Sequence, residues 1–307
     1  MVRATVLLPV RNGGRWLGET IQSLENQTFK DFELLVIDDG STDNSIDIIK
    51  QSNLQHIRVI PGPQQGLAKA LALGVNESKT EIIFRQDQDD ISLPSRFQLQ
   101  YNFLEENKDH VAVGSNATKI DEKGGKIKTI KKPINHNAIR LALTVECPLI
   151  HPAVAFRKSA VLAAGNYWSP SSDPFPEDFH LWSRLIKKGE IANLPSILIM
   201  YRIHDKSLSQ QYAITLLKVA LTITEKNIND ELNSTNLSKK QIEAIKILGN
   251  RNEDKGKITL LQAIEIIKIL VILKRKIGYR FWQKGFSFKF YLRPFYWVLK
   301  NPNINHK

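Results

Sequence analysis

The chain has 307 residues, of which 42% are hydrophobic and 24% charged, and its net charge at neutral pH is +12. This size and apolar content allow a full hydrophobic core and exclude a disordered or fibrous protein. The single cysteine, Cys147, excludes an internal disulfide framework and is compatible with a reducing cytoplasm. Because Met1 is followed almost directly by a strand-like run, no secretory signal is expected.

The positive charge is concentrated in the last third of the chain. Residues 211–307 contain 18 basic and 7 acidic residues, a net charge of +11, which leaves +1 for residues 1–210. We therefore predict two regions: a near-neutral domain over residues 1–210, and a basic helical C-terminal extension over residues 211–307.

Strand-like and helix-like segments alternate through the first 106 residues. Strands are predicted at residues 4–9, 32–37, 56–60 and 81–84, and helices at residues 16–24, 43–51, 66–76 and 94–106. This alternation predicts βαβ units, and hence an α/β fold with a mostly parallel central sheet flanked by helices. Ligands of such sheets bind at the carboxyl ends of the strands.

The carboxyl ends of three predicted strands carry unusual residues. Pro9-Val10-Arg11-Asn12-Gly13-Gly14 follows the first strand, Asp38-Asp39-Gly40-Ser41 the second, and Asp87-Gln88-Asp89-Asp90 the fourth. A carboxylate after the second strand can accept the imide N–H of uracil or thymine but would repel a phosphate. The first strand is not followed by a glycine-rich phosphate-binding motif, which favours a metal ion as the diphosphate binder.

The three carboxylates after the fourth strand have two interpretations. Asp-rich turns are common, and this one could be a solvated turn that precedes the next helix. Clustered carboxylates also repel one another unless a cation lies between them, and a hard divalent ion held by one or two carboxylates and substrate phosphates meets that need. The metal site is favoured because the cluster follows a predicted strand, at the edge of the sheet where ligands bind.

Several segments, in this order and spacing, resemble the family 2 glycosyltransferases of the GT-A fold over about residues 3–210. The matching segments are residues 6–12, 23–29, 32–43, 66–70, 87–90, 151–157 and 177–182. The resemblance implies an inverting transferase that moves a sugar from a nucleotide-diphosphate sugar to a hydroxyl group.

The resemblance also implies roles on the donor side. The residues expected to bind the nucleotide-sugar are Pro9, Arg11, Asp39, Lys69, Asp87, Asp89 and Arg202. Asp39 is expected to contact the base, and Asp87 and Asp89 match the Asp-x-Asp pair that holds the ribose and the metal–diphosphate. Asp89 and Asp90 are the expected ligands of Mn²⁺ or Mg²⁺. His204, close to Arg202, is a further candidate for the diphosphate, although a surface loop explains both residues nearly as well.

On the acceptor side, Asp178 matches the general base of the family. Its position next to Glu177 at a predicted helix start is also explained by the helix dipole alone, and Glu177 can be purely structural. His151 is either a core histidine or an acceptor contact, and Trp182 is a further acceptor candidate. Arg85 and Gln86 depart from the family pattern, which often has apolar residues there.

The C-terminal region predicts contact with a surface. Residues 258–273 form an amphipathic pattern that is too short and too charged for a transmembrane span, and aromatic residues alternate with Lys and Arg up to residue 300. We expect residues 258–300 to bind an anionic membrane, with the protein on the cytoplasmic face of the inner membrane and a glycan or lipid-linked acceptor. The aromatic residues could instead pack on the catalytic domain or on a partner.

Three other classes of function are considered. A nucleic-acid-binding protein would leave the acidic clusters unexplained, so no nucleic-acid partner is expected. A nucleotidyltransferase would have a glycine-rich, lysine-containing loop after the first strand. A catalytically silent sugar-nucleotide-binding protein is compatible with the sequence.

Overall fold

The computed structural model describes residues 1–144, 146–170, 175–205 and 207–232. Its contacts divide the chain into two compact units. The first comprises residues 1–132 and 149–213, and the second comprises residues 133–148 and the described residues after residue 213. The boundary expected at residue 210 stays a prediction.

The elements are, in chain order, β1 (Ala4–Val10), α1 (Leu17–Glu25), β2 (Phe32–Asp38), α2 (Ser45–Lys50), β3 (Ile57–Pro61), α3 (Leu67–Glu77), β4 (Ile82–Arg85), β5 (Ile91–Ser92), α4 (Arg96–Glu106), β6 (His110–Ile120), β7 (Lys126–Ile130), α5 (His136–Ala142), β8 (Ala155–Arg157), α6 (Lys158–Ala163), α7 (Glu177–Leu185), β9 (Glu190–Arg202), α8 (Leu208–Gln211) and α9 (Ala213–Leu232). Each strand and helix predicted in the first 106 residues has a counterpart, with ends that differ by at most two residues.

In the part of the chain that the structure describes, the strands form one sheet in the order β3-β2-β1-β4-β8-β6-β9-β5, and β7 pairs with β6. The neighbours β3-β2, β2-β1, β1-β4 and β6-β9 are parallel. The short β8 runs antiparallel between β4 and β6. The expected α/β fold with a mostly parallel sheet is therefore confirmed.

Both faces of β1 are covered, since all seven of its residues are buried. Val6 and Leu8 belong to a core that also contains apolar residues of α1, β2, β4 and α4. On the other face Leu7 packs against α3 at Gly74, where a Cβ would approach Leu7 Cδ1 to 2.1 Å. A strand buried on both faces holds its carboxyl end rigidly, and this end borders the candidate site.

The second unit contains α5 and α9, which are joined by a bidentate ion pair. Arg140 Nε and Nη2 donate to the two carboxylate oxygens of Glu231 at 2.7 and 2.8 Å. Helix α9, which spans Ala213–Leu232, lies within the region predicted as a helical C-terminal extension. Other predictions for residues 233–307 lie outside the described residues.

No candidate membrane span lies among the described helices. None of them combines the length and the apolar character that crossing a bilayer requires. The predicted membrane-binding segment, residues 258–300, lies beyond the described residues.

Candidate active site

The site lies where β1, β2 and β4 end. In the parallel pairing Val10 lies opposite Asp38, and Leu7 lies opposite Arg85, so the loops that follow these strands meet at one edge of the sheet. Gln88 ties two of these loops together. Its Oε1 accepts the backbone N–H of Arg11 at 2.9 Å, and its Nε2 donates to the Arg11 carbonyl at 3.2 Å.

Three carboxylates converge after β4, as the sequence predicted. Asp87, Asp89 and Asp90, hereafter the acidic turn, each place one carboxylate oxygen within 4.8 Å of those of the other two. Asp90 is fully buried, and its Oδ1 accepts the backbone N–H of Arg202 at 2.8 Å. Asp90 Oδ2 is buried and has no hydrogen-bond partner among the described residues.

The acidic turn fits a divalent cation. Burial raises the pKa of Asp90 well above its usual value, and repulsion by Asp89 and Asp87 raises it further. A buried carboxylate oxygen without a partner is costly, whereas a hard cation would satisfy it and favour the ionised form. Hard cations prefer oxygen ligands, and the turn offers three carboxylates.

The Asp87 carboxylate forms an ion pair with a buried arginine side chain. Arg85, at the end of β4, is 1% exposed and forms an ion pair with the Asp87 carboxylate. Burial raises the pKa of Asp87 to about 6, although Arg85 opposes the shift, and Asp89 adds to it. Arg85 was noted in the sequence only as a departure from the family pattern, and its contact with Asp87 was not predicted.

Asp89 is held by His204, one of the residues predicted for the site. His204 Nε2 lies 2.7 Å from Asp89 Oδ2, and the imidazole contacts the Trp16 ring at a centroid distance of 4.3 Å. These contacts fix the direction of the Asp89 carboxylate. The expected contact of His204 with a diphosphate stays a prediction.

Arg202 is buried, and its guanidinium binds protein groups. Nε donates to the Asp89 carbonyl at 2.9 Å, Nη1 to the Glu122 carbonyl at 3.0 Å, and Nη2 to Glu19 at 2.7 Å. Arg202 therefore joins the acidic turn to β9, α1 and the β6–β7 hairpin. Its expected role at the diphosphate stays a prediction.

A buried polar network holds the backbone of the acidic turn through its carbonyl groups. Gln86 Nε2 donates to the carbonyls of Asp87 and Asp90 at 3.0 Å each. Gln86 Oε1 accepts from Ser92 Oγ at 2.6 Å and from Arg96 Nη1 at 2.9 Å. Arg96 Nη2 donates to the Arg85 carbonyl at 2.6 Å. In the sequence, Arg96 is only one position of a predicted helix, so this network was not predicted.

Replacing Arg96 by methionine is expected to lower the free energy of unfolding by roughly 3 kcal/mol, because the carbonyl of Arg85 and Gln86 Oε1 each lose a buried donor. Lys108→Met is the control, since Lys108 is exposed and its contact with Glu105 is a surface ion pair. Urea unfolding of the two variants measures the difference. Equal stability of Arg96→Met and the wild type would contradict the supporting role of the network.

On the nucleoside side, Asp39 is buried at the end of β2. Its carboxylate oxygens accept the backbone N–H groups of Gln64 at 2.6 Å and Gly66 at 3.2 Å. Pro9 lies within buried β1, whereas Arg11 and Lys69 are exposed. The structure thus brings Asp39 and Arg11 to the same edge of the sheet as the acidic turn, and their contacts with a nucleotide stay predictions.

On the acceptor side, Glu177 and Asp178 form the first turn of α7. His151 lies between Glu177 and Tyr167: its Nδ1 is 3.5 Å from Glu177 Oε1, and its Nε2 is 2.9 Å from Tyr167 Oη. Trp182 is fully buried and packs edge-on against His151. The ring of Trp182 therefore supports the site from the core, and its acceptor role stays a prediction.

Glu177 and His151 are both uncharged at neutral pH. Burial raises the pKa of Glu177 to about 8, and the neighbouring Asp178 adds to the shift. Burial also lowers the pKa of His151, and Arg85 lowers it further. A neutral Glu177 next to a neutral His151 keeps the charge of this buried cluster low.

The raised pKa of Glu177 predicts a pH-dependent stability. An unfolded glutamic acid loses its proton near pH ~4.3, whereas folded Glu177 keeps it until about pH 8, so the native state binds more protons in between. The contribution of Glu177 to stability is therefore expected to fall as pH rises through this window. Glu177→Gln should accordingly gain stability relative to the wild type between pH 5 and pH 8 in denaturant titrations, whereas exposed Glu105→Gln should not. A constant difference would contradict this assignment.

Comparison with known proteins agrees with this geometry. Residues 5–164 match the family model described as glycosyl transferase family 2. The amylovoran biosynthesis glycosyltransferase AmsE of Erwinia amylovora is 32% identical over 190 residues, which cover 61% of this chain and 70% of AmsE. The O-antigen biosynthesis glycosyltransferase WbnJ of Escherichia coli is 33% identical over 213 residues, covering 66% of this chain and 80% of WbnJ.

A solved structure shares the fold. The crystal structure of S. aureus TarS residues 1–349 in complex with UDP-GlcNAc superposes with a TM-score of 0.62 at 17% identity, covering 90% of this chain and 82% of that chain. The fold and the site thus define a glycosyltransferase of the GT-A fold. The chain belongs to glycosyl transferase family 2.

Proposed function

We propose that this glycosyltransferase is a divalent-metal-dependent, inverting enzyme that transfers a sugar from a UDP- or dTDP-sugar to a hydroxyl group of a glycan or lipid-linked acceptor. The observation that carries the proposal is the acidic turn, whose three carboxylates converge while Asp90 Oδ2 is buried without a partner. A turn of this kind is unfavourable for stability unless a cation binds it.

Asp89 and Asp90 would hold Mn²⁺ or Mg²⁺, and Asp87 would face the ribose side. The metal, when bound, offsets the negative charge of the leaving diphosphate. Gln86, Arg202 and His204 hold the carboxylates in place through the contacts described above, so that little rearrangement is needed when the donor binds.

Asp39 supports a pyrimidine donor. Its carboxylate is buried at the edge of the sheet and faces the loop of Gln64 and Gly66, and a carboxylate accepts the imide N–H of uracil or thymine. UDP-GlcNAc in the TarS complex is in keeping with this donor class.

Asp178 would act as the general base. Its carboxylate lies in the first turn of α7, where Oδ1 accepts the backbone N–H of Phe179 at 2.7 Å, and the helix dipole favours its ionised form. It would take the proton of the attacking acceptor hydroxyl. With one base and no covalent nucleophile, the displacement inverts the anomeric carbon.

The names of the relatives support a role in the assembly of a surface polysaccharide. AmsE acts in amylovoran biosynthesis and WbnJ in O-antigen biosynthesis. We propose that this chain also acts in the assembly of a surface polysaccharide.

We further propose that residues 258–300 attach peripherally to the cytoplasmic face of the inner membrane. Flotation of the full-length protein with phosphatidylglycerol vesicles but not with phosphatidylcholine vesicles would support the attachment. No flotation with either kind of vesicle would contradict it.

The proposed activity is tested by release of the nucleoside diphosphate. The protein is incubated with UDP-, dTDP- and GDP-sugars in Mn²⁺, and free nucleoside diphosphate is measured with and without EDTA. We expect turnover with one pyrimidine donor class and its loss in EDTA. Equal turnover in EDTA would contradict the metal dependence, and turnover only with GDP-sugars would contradict the donor assignment.

A further inference from the structure

The hairpin of β6 and β7 carries an excess of positive charge in the otherwise near-neutral first unit. Residues 119–132 include six lysines and two acidic residues. Both acids have other partners: Asp121 Oδ1 accepts the backbone N–H groups of Lys123 and Gly125 at 2.9 and 2.8 Å, and Glu122 pairs with Arg15 at 2.6 Å. Neither acid therefore neutralises the lysines along the strands.

Two of these lysines lie directly opposite each other. Lys119 in β6 is in register with Lys128 in β7, and neither forms an ion pair with a described residue. Like charges in direct cross-strand register destabilise a sheet. Lys119 is half-buried, and its pKa is lowered by burial and further by Lys128 and Lys132, with no carboxylate acting against the shift. An anion between the two ammonium groups would remove this repulsion.

The position of this pair relates it to the active site. Lys119 is also in register with Tyr201 of β9, the residue before Arg202, whose backbone N–H binds Asp90. β9 also pairs with β5, where Met200 lies opposite Ile91, the residue after Asp90, so Tyr201 lies next to the acidic turn. Because neighbouring strands are about 4.8 Å apart, Lys128 lies roughly 10 Å from Tyr201 along this row.

We propose that Lys119 and Lys128, hereafter the lysine pair, bind a phosphate or diphosphate group of the acceptor. The inference rests on the proposed function and names its acceptor class: a sugar carried on a phosphate-linked lipid. Two facing ammonium groups match a dianion, whereas a single carboxylate would neutralise only one of them. A phosphate group between them would also balance the charge of two lysines that lie directly opposite each other in the β6–β7 hairpin.

The test measures binding of undecyl diphosphate below its micelle concentration, with undecyl maltoside as the uncharged probe of equal chain length. Titrations are made by calorimetry in EDTA, so that the acidic turn does not hold the diphosphate through a metal. We expect the double variant K119M/K128M to bind undecyl diphosphate about tenfold more weakly than the wild type and undecyl maltoside unchanged. The control K187M/K188M loses the same two charges just before the start of β9, at the far end of that strand, and should bind like the wild type.

Folding of the double variant is checked by thermal unfolding. Its midpoint should equal or exceed that of the wild type, because a like-charge contact has been removed. If the double variant does not fold, K128M alone is used, since Lys128 is exposed and its side chain is expendable for the core.

Two results would overturn the inference. The first is equal binding of undecyl diphosphate by K119M/K128M and the wild type. The second is that K119M/K128M no longer floats with phosphatidylglycerol vesicles but still binds undecyl diphosphate. The second would mean that the lysine pair contacts a membrane surface and not the acceptor. Thermal stabilisation by a nucleotide-sugar with Mn²⁺ is measured on the same preparations. If that shift is present and the lysine variant binds normally, only this inference fails; if it is absent in the wild type, the proposed function fails.

Discussion

Replacing Asp178 by asparagine is expected to lower kcat for sugar transfer by about 10²- to 10⁴-fold, the range that a positioned general base contributes. Asparagine has nearly the shape of aspartate and keeps an oxygen that can accept the backbone N–H of Phe179, but it cannot take a proton. Donor binding in Mn²⁺ should be unchanged, because the acidic turn is intact. Steady-state transfer assays and donor titrations together measure the two effects.

Asp47→Asn is the matched control for this variant. Asp47 also lies in the first turn of a helix, α2, and it is exposed. Both substitutions remove a charge that favours the helix dipole, which costs roughly 0.3–1 kcal/mol of stability. Only Asp178→Asn should lose turnover. Full activity of Asp178→Asn would contradict the assignment of the base, and equal losses in both variants would indicate a change in stability instead of catalysis.

The second large effect is expected from Asp90→Asn. Asparagine can still accept the backbone N–H of Arg202, but it removes the charge of a carboxylate whose second oxygen is buried without a partner. We expect the affinity for Mn²⁺ in the presence of UDP to fall by at least about 100-fold, and turnover to fall with it. Electron paramagnetic resonance of free Mn²⁺ gives the affinity directly.

The same variant has an opposite effect without metal. Because burial raises the pKa of Asp90 in the metal-free protein, its ionisation there is unfavourable, so Asp90→Asn in EDTA at pH 8 should be as stable as the wild type or more so. Asp109→Asn, at an exposed position before β6, should change neither property. Unaltered Mn²⁺ affinity in Asp90→Asn would show that the acidic turn does not bind the ion through Asp90.

The sequence predicted the parts of the molecule that local patterns determine. The alternation of apolar runs and helical spacing placed β1 to β4 with α1 to α4, and the carboxyl ends of these strands pointed to Asp39 and the acidic turn. Strands buried on both faces are nearly continuous apolar runs, so polar residues at their ends stand out even in a single sequence.

Contacts between distant segments were not predictable in this way. The hydrogen bonds of Arg96 to Gln86 and to the Arg85 carbonyl depend on how α4 packs against the acidic turn. The opposition of Lys119 and Lys128 depends on strand register, which a slip of one residue would abolish. Most of the net positive charge lies in the C-terminal region, whereas the excess of lysine in the β6–β7 hairpin is local. The overall charge therefore did not predict a site at the hairpin.

The most direct test of the central claim is thermal unfolding of the purified protein with UDP-, dTDP- and GDP-sugars, in Mn²⁺ or Mg²⁺ and then in EDTA. A ligand at about 100 times its dissociation constant stabilises the folded state by roughly 2.7 kcal/mol. We predict that a pyrimidine nucleotide-sugar raises the unfolding midpoint only when metal is present, and that Asp89→Ala abolishes the shift. If no donor changes the unfolding midpoint, either in metal or in EDTA, the result would contradict a site for metal and nucleotide-sugar at the acidic turn.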